Sequence, residues 1–300
     1  MGISQEDIQI SFEEDIKKIK NSDLERLLIV AGAIPDEYSQ DSSQEKIFTK
    51  LSEILVKEAL DRICTAAHCV RTKSNFQDVT IHIGNKVVVS DVKSFRLSRS
   101  QNAPNVKDVI KPESYEKWLN RFDDDEKLGG LCVYPCTHEW DKISTVYELA
   151  SNQNLPIVLL PYKYIAYLLR YSRNYKTEDL ISLWDYTTIF SSYTKYKEVY
   201  WRSINNAICK LTKTDEKVLE RFLIGCKIAI NNSIKKYHDV AQKYCEVVEN
   251  EDIEEIYRNM TKEQLIKILS ENHKEKIRYE QFKVRRIANR VSEIKPGGIY

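Results

Sequence analysis

No apolar run in this 300-residue chain approaches the length needed to cross a bilayer, so no helical membrane span is expected. The longest runs, such as "LPIVLLP", suit a buried strand. The opening "MGISQEDIQI" lacks the basic and apolar regions of a secretory signal. Glu6 stands where a myristoylation motif carries Ser or Thr. A cytoplasmic protein without membrane attachment is therefore expected. Formal net charge is only +1, so bulk charge gives no argument for nucleic acid, and local clusters must attract any such partner. Internal repeats, low-complexity tracts and Pro- or Ser-rich linkers are absent. The seven cysteines are an odd number scattered from Cys64 to Cys245, which fits reduced thiols better than a disulfide framework.

What is present is the composition of a soluble globular protein, 42% hydrophobic and 30% charged, long enough for one large domain or two modest ones. The first 35 residues read as helices, with a capping box from Ser22 to Glu25 before "LERLLIVAGA" and a stop at Pro35. A second box, Ser42 to Glu45, opens "QEKIFTKLSEILVKEALDRI", whose Ile47, Leu51, Ile54, Leu55 and Leu60 trace one helical face. A hairpin follows, then helix over "ESYEKWLNRF", strand at "LGGLCVYP", helix over "DKISTVYELASN", strand at "LPIVLL" and helix over "KYIAYLLRYS". This alternation predicts an α/β core with at least one crossover connection. From about residue 176 strand signals fade into a charged, helix-like half, with one more box at Thr261 to Gln264. The expected division is residues 1–175 as helical N-terminus plus core and 176–300 as a helical region packed with it as one domain.

The hairpin "QDVTIHIGNKVVVSDVKSFRLSR" carries the chemistry. Val79, Ile81 and Ile83 fall on one face and Asp78, Thr80 and His82 on the other. If Gly84-Asn85 is the two-residue loop, Ile83 pairs with Lys86 and Asp78 falls opposite Asp91, two like charges about 5 Å apart. Lys93 points to the face of Asp91. Two bare carboxylates there are unfavourable, but a divalent cation between them reverses the sign, and oxygen ligands are what Mg²⁺ accepts. Lys93 would then assist a water or neutralise a phosphate under attack. Against this, D-x-K is a short pattern, Lys93 can be a mere counter-ion, and a turn shifted by one residue would part the aspartates.

"SDVKSFRLSR", the upstream "SSQEKIFTKLSEIL", "KISTVYELASNQNLPIVLL" and the late "NMTKEQLIKIL", in that order, together resemble the HindIII-type type II restriction endonucleases of the PD-(D/E)xK nuclease superfamily. The resemblance implies a mixed β-sheet nuclease core flanked by helices, with a mainly helical C-terminal half. It implies that Asp78 and Asp91 bind Mg²⁺ with the main-chain carbonyl of Val92, and that Lys93 lies beside the attacking water. The product would be a double-strand break in DNA with 5′-phosphate ends. Gln77 stands where the motif has proline, a common variation. Asp108 looks like the counterpart of a further acidic residue, although the loop before it differs in length.

Other residues carry two readings each. Glu45 is a further metal ligand if this chain follows nucleases that take one from the preceding helix, but the capping box accounts for it without metal. Arg96 and Arg99 contact DNA if the aspartates and Lys93 are catalytic, and are surface charges otherwise. The basic "KEKIRYEQFKVRRIANR" either tracks phosphates or pairs with the acidic "ENEDIEE". Cys64, His68, Cys69 and Cys132, Cys136, His138 lack the spacing of structural zinc sites and read better as buried thiols. The 18 tyrosines do not discriminate core, interface and DNA contact.

The expected function is Mg²⁺-dependent, site-specific cleavage of double-stranded DNA. A palindromic cut implies a two-fold homodimer, and restriction–modification adds a cognate DNA methyltransferase as a functional rather than a binding partner. The alternatives are a non-catalytic DNA-binding or assembly protein on the same core, and a repair or recombination nuclease of the same superfamily.

Overall fold

The computed structural model describes residues 5–35, 38–70, 75–96 and 104–250, together with 274 and 277. Its elements are, in order, helices α1 (Gln5–Lys18) and α2 (Asn21–Val30), strand β1 (Ala33–Ile34), helix α3 (Ser43–Asp61), and strands β2 (Ala66–Cys69), β3 (Val79–Ile83), β4 (Lys86–Val92) and β5 (Phe95–Arg96). Next come α4 (Val106–Val109), α5 (Pro112–Leu119), β6 (Lys127–Tyr134), α6 (Thr145–Ala150), β7 (Ile157–Pro161) and α7 (Tyr162–Arg170). Two 3₁₀ segments, Ser172–Asn174 and Thr177–Trp184, lead into α8 (Tyr186–Ile189), α9 (Lys197–Thr212) and α10 (Glu216–Asn250). The described residues divide into two compact units, one up to residue 227 and one from residue 228 onward. The fold is mixed α/β, and the described part of the chain beyond residue 176 carries helices joined by loops, with no strand beyond a single bridge between Ile143 and Tyr196.

Five strands form one sheet in the order β2-β3-β4-β6-β7, antiparallel from β2 to β4 and parallel from β4 to β7. The parallel steps are the crossovers that the strand–helix alternation predicts. Gly84 closes the central hairpin with φ +61°, a value open to glycine at little cost. Ile83 pairs with Lys86 and Val79 with Ser90, the register counted from a Gly84-Asn85 loop. Ile81 and Ile83 meet Leu60 of α3 and Ile165 and Leu168 of α7 around a small apolar space. Each such side chain stabilises the sheet by about 1.5–3 kcal/mol through burial. The tyrosines of residues 162–200 go mainly to this interior: Tyr162, Tyr164, Tyr167, Tyr186 and Tyr200 are all buried.

Three local expectations change. Helix α2 begins at Asn21 after Lys20, so Ser22 lies inside it and makes no cap; Glu25 is buried instead and receives the Arg170 guanidinium. Edge strand β2, short and carrying Ala, His and Cys, had no alternating pattern to announce it. Residues 141–143 precede the helix read over "DKISTVYELASN", which starts after Ser144, whose hydroxyl accepts from the Val146 N–H. The box at Thr261 to Gln264 and the basic stretch near the C-terminus lie outside the described residues.

Candidate active site

The hairpin's ladder ends at Val79 and Ser90, and the next residues on the two strands are Asp78 and Asp91. The Asp78 N–H donates to the Ser90 carbonyl at 2.9 Å, and its carbonyl accepts from Val70 at 3.0 Å. Its carboxylate reaches across to β4, where Oδ2 accepts the Val92 N–H at 2.8 Å. Two residues apart, Asp91 on β4 and Lys93 just past its end share a face, and Lys93 Nζ lies 2.7 Å from Asp91 Oδ2. Both side chains are largely but not wholly buried, at 15% and 23% exposure.

Helix α3 adds a residue that pattern reading passed over. Glu53 is buried, its Oε2 lies 2.6 Å from Lys50 Nζ, and its charge is felt by Asp78. An acid buried on a helix face among Ile54, Leu55 and Val56 is itself a signal, because carboxylates are rarely buried without a partner. The capping box drew attention to Glu45, eight residues earlier, instead.

Electrostatics tie the group together. Burial, then the charges of Glu53 and Asp91, push the Asp78 carboxyl up to about 8, against the opposing Val92 hydrogen bond. Burial also raises Glu53; Lys50 opposes the rise and Asp91 adds to it. Burial works against the Lys93 ammonium, yet the Asp91 charge leaves it above its ordinary value. Lys50 is likewise raised, its burial outweighed by Glu53 and Asp78. Three carboxylates thus face two ammonium groups in a poorly solvated corner, and a proton on Asp78 relieves the excess.

Among the described residues no three His, Cys, Asp or Glu side chains gather closely enough to hold a metal ion by themselves. Mg²⁺ asks for less: one or two carboxylates, with waters and substrate phosphate completing its shell. Two neighbouring carboxylates, that of Asp78 raised by burial and by the charges of Glu53 and Asp91, fit that ion.

The remaining candidates go elsewhere. Glu45 N–H donates to the Ser42 hydroxyl at 3.2 Å, as a cap requires, while its carboxylate accepts from the Asp41 N–H at 2.6 Å and meets Arg96 at 3.0 Å. Arg96 also donates to the Tyr38 carbonyl at 2.6 Å, so it clamps β5 to the start of α3. Its guanidinium is engaged inside the molecule because two acceptors flank it in the fold. Asp108 is exposed on α4, with the Asn105 amide 3.4 Å away. Arg99 lies outside the described residues. Of the zinc-like residues, Cys132 and His138 are buried, and burial pushes the thiols of Cys64, Cys69 and Cys132 up to about 12.

A mixed sheet whose central hairpin ends in Asp78 and Asp91, with Lys93 just beyond, is the arrangement that the sequence resemblance implies. The HindIII restriction endonuclease family matches residues 3–283 of this chain. Over 216 residues the chain is 25% identical to the type II restriction enzyme HindIII of Haemophilus influenzae (strain ATCC 51907 / DSM 11121 / KW20 / Rd), covering 69% of this chain and 68% of that enzyme. The chain belongs to the HindIII restriction endonuclease family, and its enzyme class is that of the type II site-specific deoxyribonucleases. Among the described residues no helix is long and apolar enough to cross a membrane.

Proposed function

We propose that this restriction endonuclease hydrolyses phosphodiesters in both strands of a specific double-stranded DNA site with Mg²⁺, leaving 5′-phosphate ends. The observation that carries the reading is the meeting of Asp78, Asp91 and Lys93 at the open end of one hairpin. Asp78 and Asp91 would hold Mg²⁺ with the Val92 carbonyl, and the Glu53 charge, which Asp78 feels, would add to the attraction for a cation. Once bound, the ion supplies Lewis acidity to the phosphate oxygens. The Lys93 ammonium orients the attacking water and offsets charge building on the phosphorus oxygens. The Asp91 carboxylate keeps that ammonium in place through their contact of 2.7 Å. Displacement is in line, the 3′ oxygen leaving as the water oxygen bonds to phosphorus.

Cutting two strands of a palindrome calls for one such centre per strand, hence a two-fold homodimer acting in the cytoplasm. The helical segment beyond residue 176 is where we would seek its interface. A cognate methyltransferase would protect the host's own sites.

The test is plasmid cleavage with and without Mg²⁺ by wild type, Asp91→Ala and Lys93→Ala. Discrete linear fragments from wild type with Mg²⁺ are expected, with rates lower by on the order of a thousandfold in each variant. Cutting that survives both substitutions would remove the assignment. A smear or junction-dependent cutting would point to a repair nuclease, and no cutting of varied DNA to a non-catalytic protein.

A further inference from the structure

Lys93 stands just past the end of β4, where a side chain is only as well aimed as its backbone is held. In a parallel ladder a residue's N–H and C=O bond the two residues flanking its partner. Val92 pairs with Val133, so Lys93 falls opposite Tyr134, and its N–H donates to the Val133 carbonyl at 2.8 Å. The rung that would hold the Lys93 carbonyl belongs to residue 135. That residue is proline and has no N–H.

The vacancy in the ladder is filled from another element. Tyr162, the first residue of α7, is fully buried and donates its hydroxyl to the Lys93 carbonyl at 2.9 Å. Its ring can lie there because residue 32 is glycine. A Cβ on Gly32 would come within 2.3 Å of Tyr162 Cε2, and the backbone there has φ +82°. The Gly32 carbonyl also accepts from the Phe95 N–H at 2.9 Å, tying down the chain two residues past the lysine.

We propose that Tyr162 is the positioning residue of Lys93, supplying the backbone hydrogen bond that Pro135 cannot and so fixing the ammonium beside Asp91 and the scissile phosphate. The role rests on the reading of Lys93 given above. Without the hydroxyl the Lys93 peptide keeps one of its two anchors and can rotate, and small misplacements of a catalytic group are costly in rate. DNA affinity, which draws on many contacts, is left alone.

The structure offers a matched control. Tyr175 is also buried and donates to a backbone carbonyl, that of Leu168, at 2.8 Å, away from the acids. Single-turnover cleavage rate, DNA dissociation constant with Ca²⁺ in place of Mg²⁺, and Tm are measured for wild type, Tyr162→Phe, Tyr175→Phe and Lys93→Ala. Tyr162→Phe is expected to cut on the order of ten- to a hundredfold more slowly with DNA affinity within about twofold of wild type. Tyr175→Phe should lower Tm comparably and leave the rate unchanged. Pro135→Ala in the Tyr162→Phe background restores an N–H at the missing rung, and the rate should recover in part.

A Tyr162→Phe rate within about twofold of wild type, or equal slowing by Tyr175→Phe, overturns the proposal. Should Tyr162→Phe not fold, the double variant decides: recovery of fold and rate supports the role, and recovery of fold alone overturns it. If Lys93→Ala cuts like wild type, the reading of Lys93 itself has failed. If Lys93→Ala is inactive and Tyr162→Phe is normal, only the positioning role is lost.

Discussion

The first turn of α3 and its middle both present a glutamate, and the two meet opposite surroundings. Glu45, at the first turn, is met by donors on every side: the Asp41 N–H and the Arg96 guanidinium. Glu53, about 12 Å further along the helix axis, is buried, feels the Asp91 charge and, among the described residues, is opposed by Lys50. Identical side chains on one helix are thus a structural anchor in one place and part of a charge excess in the other. Net charge around an acid, more than its identity, separates a residue that anchors the fold from one whose burial raises its carboxyl.

Substituting each glutamate should make the contrast measurable. Glu53→Gln is expected to cut on the order of ten- to a hundredfold more slowly at limiting Mg²⁺, with part of the loss recovered at high Mg²⁺. Its Tm in EDTA should be no lower than that of wild type, because the change removes one of three crowded carboxylates. A normal Mg²⁺ dependence would detach Glu53 from the centre.

The next effect is one of pH. Asp78 titrates near 8 in the folded protein and at an ordinary carboxylate value, about 4, once unfolded. A group whose folded value is raised gives stability that is complete below the unfolded value and lost as pH climbs through the folded one. Metal-free protein should therefore lose stability steadily from about pH 6 to about pH 8.5, read as a falling Tm. Asp78→Asn should flatten that slope, and Mg²⁺ should raise Tm most at the alkaline end. A slope unchanged in Asp78→Asn would assign the titration elsewhere.

Glu45→Gln gives the smallest change in rate and the clearest in fold. Cleavage should stay within about twofold of wild type while stability falls by about 1 kcal/mol, a Tm shift of about 2–4 °C, as the Arg96 pair weakens. A large loss of rate with an unchanged Tm would restore Glu45 to the metal site.

How far the site was legible in the sequence follows from the range of the forces involved. The hairpin register came from local chemistry: Gly84 allows the positive φ of a two-residue loop, alternation fixes the faces, and counting back reaches Val79 opposite Ser90, with Asp78 and Asp91 next on the two strands. The cap at Ser42 was equally local and equally visible. The spacing from Ser22 to Glu25 does not make a cap because a capping box counts residues and cannot see that Glu25 is buried against a partner 145 residues away, Arg170.

Residue types at short spacing therefore determined the alternation of the main helices and strands, the α/β class and the hairpin that carries two acids, with a lysine just past its end. Only the tertiary structure decided which glutamate of α3 joins them, that Arg96 is bound by Glu45 and Tyr38, and that Tyr162 reaches the carbonyl Pro135 leaves open. Spacing along a chain reports contacts within a turn or a hairpin. Burial, charge crowding and a missing ladder rung arise where distant segments pack, and their energies depend on what has been excluded from water there.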